Sequence, residues 1–177
     1  MFMKDSLIQL YQTAFSLAVQ FHDGSVDGAG EPYLNHLTTV SDSAFRTDLS
    51  ELGSDDSWRR RIVGILHDII EDTDCTLDVL RENNIDEDII QSVVAITHTK
   101  GESYADFVVR VSKDNIAKSV KIADLEHNLD VKRLKEMSDY VLTRIRKYWA
   151  SRRFLLGEIS EDVFRSILSN NKIKTGK

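Results

Sequence analysis

Pro32 is the only proline in 177 residues, and the chain holds eight glycines. These two residue types interrupt helices most strongly, so their scarcity permits long helical runs. Period-two alternation of apolar and polar residues is scarce as well, which leaves little to build a sheet from. The sequence therefore predicts an all-α chain.

Apolar spacing and capping residues trace the individual helices. Leu7, Leu10, Tyr11, Ala14, Leu17, Ala18 and Phe21 fall on one helical stripe. The acid- and glycine-rich stretch 23–31 reads as a loop, and Pro32 then opens a helix carrying Tyr33, His36, Leu37 and Val40. Residues 47–57 are polar, punctuated by Gly53 and Ser54, and a third helix is predicted from about Asp56 to Ile70. Thr76 and Asp86 are suited to cap the next two helices, and Ser103 with Asp106 forms a variant capping box before Phe107. Further helices are expected from Ala117 to Leu129, Tyr140 to Leu156 and Ile159 to Ile167. No repeat or linker divides the chain, so one domain is expected over residues 1–170, with a frayed tail at 171–177.

A hydrophobic fraction of 41% and a charged fraction of 29% are those of a globular protein and exclude a disordered one. No window approaches the roughly 18 uncharged apolar residues of a membrane span. The first residues, MFMKDSLIQLYQ, bring in an acid too early for a signal peptide. The single cysteine, Cys75, cannot found a disulfide framework. A cytoplasmic protein with no membrane partner is expected. The net charge of −6 argues against nucleic acid as a partner. Acids crowd the middle of the chain (Asp68, Glu71, Asp72, Asp74, Asp78), whereas cations gather later, at Lys132, Arg133, Lys135, Arg144, Arg146, Lys147, Arg152 and Arg153. An acidic cluster suits a metal and a basic one suits phosphate, although solvated helix faces explain charge alone equally well.

The sharpest local signal is Leu66-His67-Asp68-Ile69-Ile70-Glu71-Asp72-Thr73. On a helix Glu71 lies one turn beyond His67, and Asp72 one turn beyond Asp68. Four polar groups thus converge at the end of an oily segment. Burying them costs several kcal/mol unless something compensates, and a divalent cation is the natural compensation. Two distant segments add His36, in Glu31-Pro-Tyr-Leu-Asn-His36, and Asp124, in Lys121-Ile-Ala-Asp-Leu-Glu-His-Asn128. Either one, taken alone, is more often a hydrogen-bonded core or surface group than a ligand.

The order His…His-Asp…Asp is similar to the signature of HD-domain phosphohydrolases. The flanks Gly30-Glu-Pro-Tyr-Leu-Asn-His36, Leu66-His-Asp-Ile-Ile-Glu-Asp-Thr73 and Lys121-Ile-Ala-Asp-Leu-Glu-His-Asn128 resemble the hydrolase domain of the RelA/SpoT alarmone enzymes. Gly101-Glu-Ser-Tyr-Ala-Asp-Phe107 is similar to the stand-alone small alarmone hydrolases. The likeness runs from about residue 7 to residue 156. It implies a single-domain HD-domain helical bundle in which His36, His67, Asp68 and Asp124 hold one divalent cation, in the family usually Mn²⁺. It also implies that Glu71 and Asp72 orient or deprotonate water, and that Asn128 contacts the substrate. Lys100, and Arg144 with Tyr148 one turn on, are further candidates for phosphate and base contacts.

The implied reaction removes pyrophosphate from the 3′ position of guanosine tetra- or pentaphosphate, a small phosphorylated nucleotide. Where the long enzymes carry a basic run, residues 23–31 hold no lysine or arginine, and Leu125 and Asp130 stand where basic residues are the rule. Another 2′-, 3′- or 5′-phosphorylated nucleotide therefore stays open, as does a catalytically silent nucleotide-binding module. Retention of both Glu71 and Asp72 speaks against the last. Of the remaining groups, His22 is expected to face solvent, His98 to meet helix-end carbonyls, Trp58 and Trp149 to pack, and Cys75 to be blunted by its acidic neighbours.

Overall fold

The computed structural model describes residues 2–134 and 136–170; Lys135 of the basic cluster and the expected tail at 171–177 lie outside the described residues. The elements are α1 (Phe2–Phe21), α2 (Tyr33–Phe45), α3 (Asp55–Leu66), α4 (Ile69–Asp72), α5 (Leu77–Glu82), α6 (Glu87–Ile96), α7 (Tyr104–Val111), α8 (Asn115–Asn128), α9 (Asp139–Leu155) and α10 (Glu161–Asn170). Short 3-10 turns occupy Leu49–Glu51 and Val131–Arg133. Among the described residues there is no strand, only an isolated bridge between Val26 and Pro32. The chain is all-α.

Hydroxyl and carboxylate caps set most helix starts. Ser54, Thr76, Ser103, Asp114 and Ser138 each accept from a backbone N–H in the first turn of α3, α5, α7, α8 and α9. In the Ser103 box the hydroxyl also donates to Asp106 Oδ2 at 2.6 Å. Asp114 starts α8 two residues ahead of the expected Ala117, and Asp86 precedes α6 without capping it by its side chain.

The third helix departs from expectation. It ends at Leu66, not Ile70, and His67 and Asp68 form a break before the single turn of α4. Asp68, at φ −106° and ψ −1°, lies at the margin of the right-handed helical region, and its Oδ2 stands 2.9 Å from Nε2 of the preceding histidine. Apolar periodicity continues through Ile69 and Ile70, so nothing in it marks the break.

Helix α3 is central, packing against α1, α2, α6 and α8, while α8 packs in turn on α2, α6 and α9. Its apolar face, Ile62, Val63, Ile65 and Leu66, is wholly buried. Helices α2 and α3 approach so closely that a Cβ on Gly64 would lie 2.7 Å from Ser41 Cα. Ser41 seals the crossing by donating to the Arg61 carbonyl at 2.7 Å. The result is that the starts or ends of three mutually packed helices meet at one place.

Two local knots hold the loops around that place. Asp27 Oδ1 accepts from the backbone N–H groups of Ala29 and Glu31 at 2.8 and 3.0 Å, closing the 23–31 loop. Gly24 and Gly30 in this loop have φ of 72° and 87°, a region that favours glycine. Arg110 donates to the carbonyls of Val94, Ala95 and Thr97 and to both carboxylate oxygens of Glu102. That guanidinium satisfies the orphan carbonyls at the end of α6 and anchors the turn that carries His98.

Candidate metal and phosphate site

His36 from α2, His67 and Asp68 from the break after α3, and Asp124 from α8 converge. One ligand atom each from His36, His67 and Asp68 lie within 4.8 Å of one another. His36 Nε2 stands 3.4 Å from Asp124 Oδ1 and 3.6 Å from Asp68 Oδ2, and His67 Nε2 is 2.9 Å from Asp68 Oδ2. The break at residues 67 and 68 is what lets adjacent side chains turn to the same point.

The protonation pattern suits a cation. His67 Nδ1 donates to the Gly64 carbonyl at 2.8 Å, which leaves the Nε2 lone pair facing the cluster. That buried Nε2 faces Asp68 Oδ2 at 2.9 Å without an aligned hydrogen bond, and an ionised carboxylate has no hydrogen to offer it, so a cation would suit both atoms. Burial raises the pKa of Asp68 and Asp124, but His67 acting on Asp68 and Lys121 acting on Asp124 outweigh it, and both stay ionised well below the usual range. Burial opposes a proton on His36, yet hydrogen bonding to Asp124 and Asp68 holds its pKa at about 9. The site thus attracts positive charge strongly. Two imidazoles and two carboxylates form a donor set that fits a first-row divalent metal.

A ring of contacts fixes these ligands. Tyr33 Oη lies 2.6 Å from Asp68 Oδ2 and 3.1 Å from Asp72 Oδ2. Lys121 Nζ meets Asp124 Oδ2 at 2.8 Å. Asn128 Nδ2 donates to Asp124 Oδ1 at 2.5 Å and to the Asp124 carbonyl at 3.1 Å. Asn128 thus braces Asp124 and also lines the cavity in which the sequence expects it to meet substrate. Glu71 Oε2 accepts from the His98 backbone N–H at 3.0 Å. Burial and the Asp68 carboxylate raise the pKa of Asp72.

The cluster opens into a cavity of about 860 Å³. Asp68, Glu71 and Asp124 line it, and so do Lys121, Arg144, Lys147 and Tyr148 from α8 and α9. Lys147 Nζ sits 4.2 Å over the Tyr104 ring, and its pKa is lowered by burial, Lys121 and Arg144. The Arg144 guanidinium lies 5.6 Å from the Tyr148 ring centroid. Carboxylates and cationic side chains thus share the lining of a space large enough for a nucleotide.

Arg144 and Tyr148 line this cavity as expected, whereas Lys100 is exposed and is not among its lining residues. His22 is not solvent-facing: it is 5% exposed and stacks on Tyr33 at 5.1 Å and 17°. His98 Nε2 meets the Glu102 carbonyl at 2.9 Å, in the loop before α7, and not the carbonyls at the end of α6, which Arg110 takes. Trp58 packs beside Tyr11 and Phe45, but Trp149 is 51% exposed under the Arg153 guanidinium, not packed. Cys75 is raised to about 11, by burial first and Asp74 second. Sequence reasoning missed Tyr33, Lys121 and His127 as site residues. Each lies three residues from a predicted ligand, a helical spacing that could have flagged them. Arg133 and Asp27, an ion pair on the cavity wall, carry no such local signal.

No family model matches the chain. Individual proteins do. It is 30% identical over 132 residues to a GTP pyrophosphokinase of Streptomyces antibioticus, covering 70% of this chain and 15% of that protein. Its homologues are RelA/SpoT family proteins. The bifunctional (p)ppGpp synthase/hydrolase SpoT of Escherichia coli K12 is 26% identical over 152 residues, or 73% of this chain and 20% of that one. A probable guanosine-3′,5′-bis(diphosphate) 3′-pyrophosphohydrolase of Synechocystis is 27% identical over 126 residues, 66% of this chain and 16% of that one. The chain thus spans 15–20% of the length of these relatives. Synthesis and hydrolysis are both represented among them.

Proposed function

We propose that this RelA/SpoT-related chain is an HD-type, metal-dependent phosphohydrolase that removes the 3′-pyrophosphate of guanosine tetra- or pentaphosphate. The observation that carries the reading is the buried convergence of two imidazoles and two carboxylates, His36, His67, Asp68 and Asp124, at a cavity that Lys121, Arg144 and Lys147 also line. A pyrophosphokinase must hold a donor and an acceptor nucleotide together. Hydrolysis needs one nucleotide, one water and a means of activating it, and the His36, His67, Asp68 and Asp124 cluster beside Lys121, Arg144 and Lys147 supports that reading.

In this reading His36, His67, Asp68 and Asp124 hold the cation, taken to be Mn²⁺. When bound, it supplies Lewis acidity toward a phosphate oxygen and lowers the pKa of water in its coordination sphere. Glu71, on the cavity wall, accepts the proton of the attacking water, and Asp72, beside Tyr33, helps to orient that water. Asn128 and Lys121 hold the Asp124 carboxylate in place. Arg144 and Lys147 meet the phosphate charge and Tyr148 offers a ring to the base or ribose. Water attacks the phosphorus attached to the ribose 3′ oxygen, that P–O bond breaks, and the 3′ oxygen takes up a proton to give GDP or GTP with free pyrophosphate.

A second reading keeps the metal chemistry and changes the nucleotide. Residues 23–31 hold no cation of their own, and the guanidinium beside them, that of Arg133, is already paired with Asp27. That favours a substrate placing less negative charge at this edge of the cavity.

The deciding assay incubates the protein and Mn²⁺ with guanosine tetraphosphate and a panel of 2′-, 3′- and 5′-phosphorylated nucleotides. GDP and pyrophosphate, abolished by chelator, are expected. Turnover of another panel member alone replaces the substrate, and metal binding with no turnover across the panel overturns the enzyme reading.

A further inference from the structure

The rings of His36 and His127 stack at 4.9 Å and 24°, with their Nδ1 atoms 2.6 Å apart. One of these nitrogens must carry the hydrogen and the other the lone pair. A third group decides which. Arg133 Nη1 lies 3.0 Å from the same His127 Nδ1, and a guanidinium only donates. His127 Nδ1 is therefore the acceptor, and His36 Nδ1 is the donor. In the neutral form that a metal ligand must take, the lone pair of His36 is then on Nε2, which faces Asp68 and Asp124.

Arg133 is itself held from two sides. Its Nη1 also donates to the His127 carbonyl at 3.0 Å, and its Nη2 pairs with Asp27 in the closed 23–31 loop. The chain of contacts runs from that loop through Arg133 and His127 to His36. Metal-binding imidazoles usually donate their second nitrogen to a carboxylate, a carbonyl or water. Here the acceptor is a second imidazole, and it stays an acceptor because an arginine donates to the same nitrogen, which the two donors share.

We propose that His127 is a positioning residue that fixes the tautomer and ring angle of His36, with Arg133, held by Asp27, keeping His127 in the accepting form. The proposal rests on the metal reading of the cluster above and is independent of which nucleotide is turned over. In His127 the polar atom that would otherwise be called a spare ligand does its work one shell out.

The test has two arms, both on the full chain. Long-range ¹⁵N–¹H spectra of the metal-free protein report each imidazole's tautomer directly. His36 should carry a hydrogen on Nδ1, and neutral His127 should carry its hydrogen on Nε2 alone; a hydrogen on His127 Nδ1 overturns the proposal. In Arg133→Met the His127 resonances should become those of mixed tautomers, and an unchanged spectrum overturns the role given to Arg133. The second arm measures Mn²⁺ affinity by calorimetry. His127→Phe keeps the ring and removes the acceptor, and should weaken Mn²⁺ binding by about 10- to 100-fold. Wild-type affinity in this variant overturns the proposal. If the variant does not fold, the spectra of the wild type and of Arg133→Met decide the matter alone. Expected tautomers in a protein that binds no divalent cation would overturn the proposed function while supporting the histidine pair.

Discussion

Tyr33 and Asp68 are joined by a 2.6 Å hydrogen bond across 35 residues of sequence, and the same hydroxyl reaches Asp72 at 3.1 Å. One O–H serves two carboxylates, one a candidate ligand and the other a candidate base. Burial and the Asp68 charge raise the tyrosine pKa, so the hydroxyl remains a donor over the whole working pH range. Tyr33→Phe keeps the ring that stacks on His22 and removes only this donor. Turnover should fall by about 10- to 100-fold, the cost of one positioned charge-assisted hydrogen bond of roughly 1.5–3 kcal/mol. Mn²⁺ affinity should change less than kcat. Equal losses in affinity and kcat would assign Tyr33 to the metal alone.

Asp68 and Glu71 are separated by one short turn but belong to different tasks. Asp68 Oδ2 sits 2.9 Å from His67 Nε2, whereas the Glu71 carboxylate is held by the His98 backbone on the cavity wall. Asp68→Ala should abolish metal binding and turnover together. Glu71→Ala should retain the metal and lower turnover by about 10²- to 10⁴-fold, the usual contribution of a general base. Metal content and initial rates on both variants check this, and metal loss in Glu71→Ala would refute the division.

Gly64 links packing to chemistry. A methyl there would strike Ser41 backbone at 2.7 Å, and its carbonyl holds the His67 tautomer. Gly64→Ala should destabilise the fold by about 1–3 kcal/mol, because neither helix backbone can give way cheaply. For a domain of this size that corresponds to a fall in Tm of several degrees, at about 2–4 °C per kcal/mol. An unchanged Tm would mean that the helix pair is looser than the close approach implies.

How much of this was legible in the sequence follows the range of the interactions. Helix class, the caps at Thr76 and Ser103 and the buried stripe of α1 are local, and spacing alone announces them, whereas the caps at Ser54, Asp114 and Ser138 were not read. The convergence of His36, His67, Asp68 and Asp124 was legible through the order of motifs, since spacing within each segment could not bring the three segments together. The break at His67 and Asp68 was not readable, because Ile69 and Ile70 continue the apolar pattern while polar contacts from α2 and α8 turn the chain. Nor was the burial of His22, which depends on the Tyr33 ring arriving from α2. The Asp27–Arg133 pair spans 106 residues and leaves no local trace in either segment.

Arg144 and Lys100 were equal candidates for phosphate by sequence, and the fold separates them. Arg144 lines the cavity next to Tyr148, while Lys100 is solvent-exposed and not among the lining residues. Arg144→Ala should raise KM for the cleaved nucleotide by about 10-fold, the value of one partly exposed charge-assisted contact. Lys100→Ala should leave kcat and KM within about twofold, as surface substitutions usually do. The reverse pattern in steady-state kinetics would place the phosphates on the other side of the metal.

Asp27 supplies the pH dependence of the loop. Burial pushes its pKa up, but the backbone N–H of Glu31, the Arg133 guanidinium and the N–H of Ala29 outweigh that and hold it below the ordinary value. A carboxylate with a depressed folded-state pKa binds protons more readily when unfolded. Its contribution to stability is complete above the unfolded-state pKa of about 3.9 and is lost as pH falls through the lower folded value. Asp27→Asn should therefore be destabilising at pH 7, with the gap to wild type narrowing below about pH 4, since protonation then removes the same ion pair from the wild type. Urea titrations of both proteins between pH 7 and pH 3 measure the gap. A gap that stays constant over that range would show that the loop is held by its backbone geometry and that the Arg133 pair adds nothing to its stability.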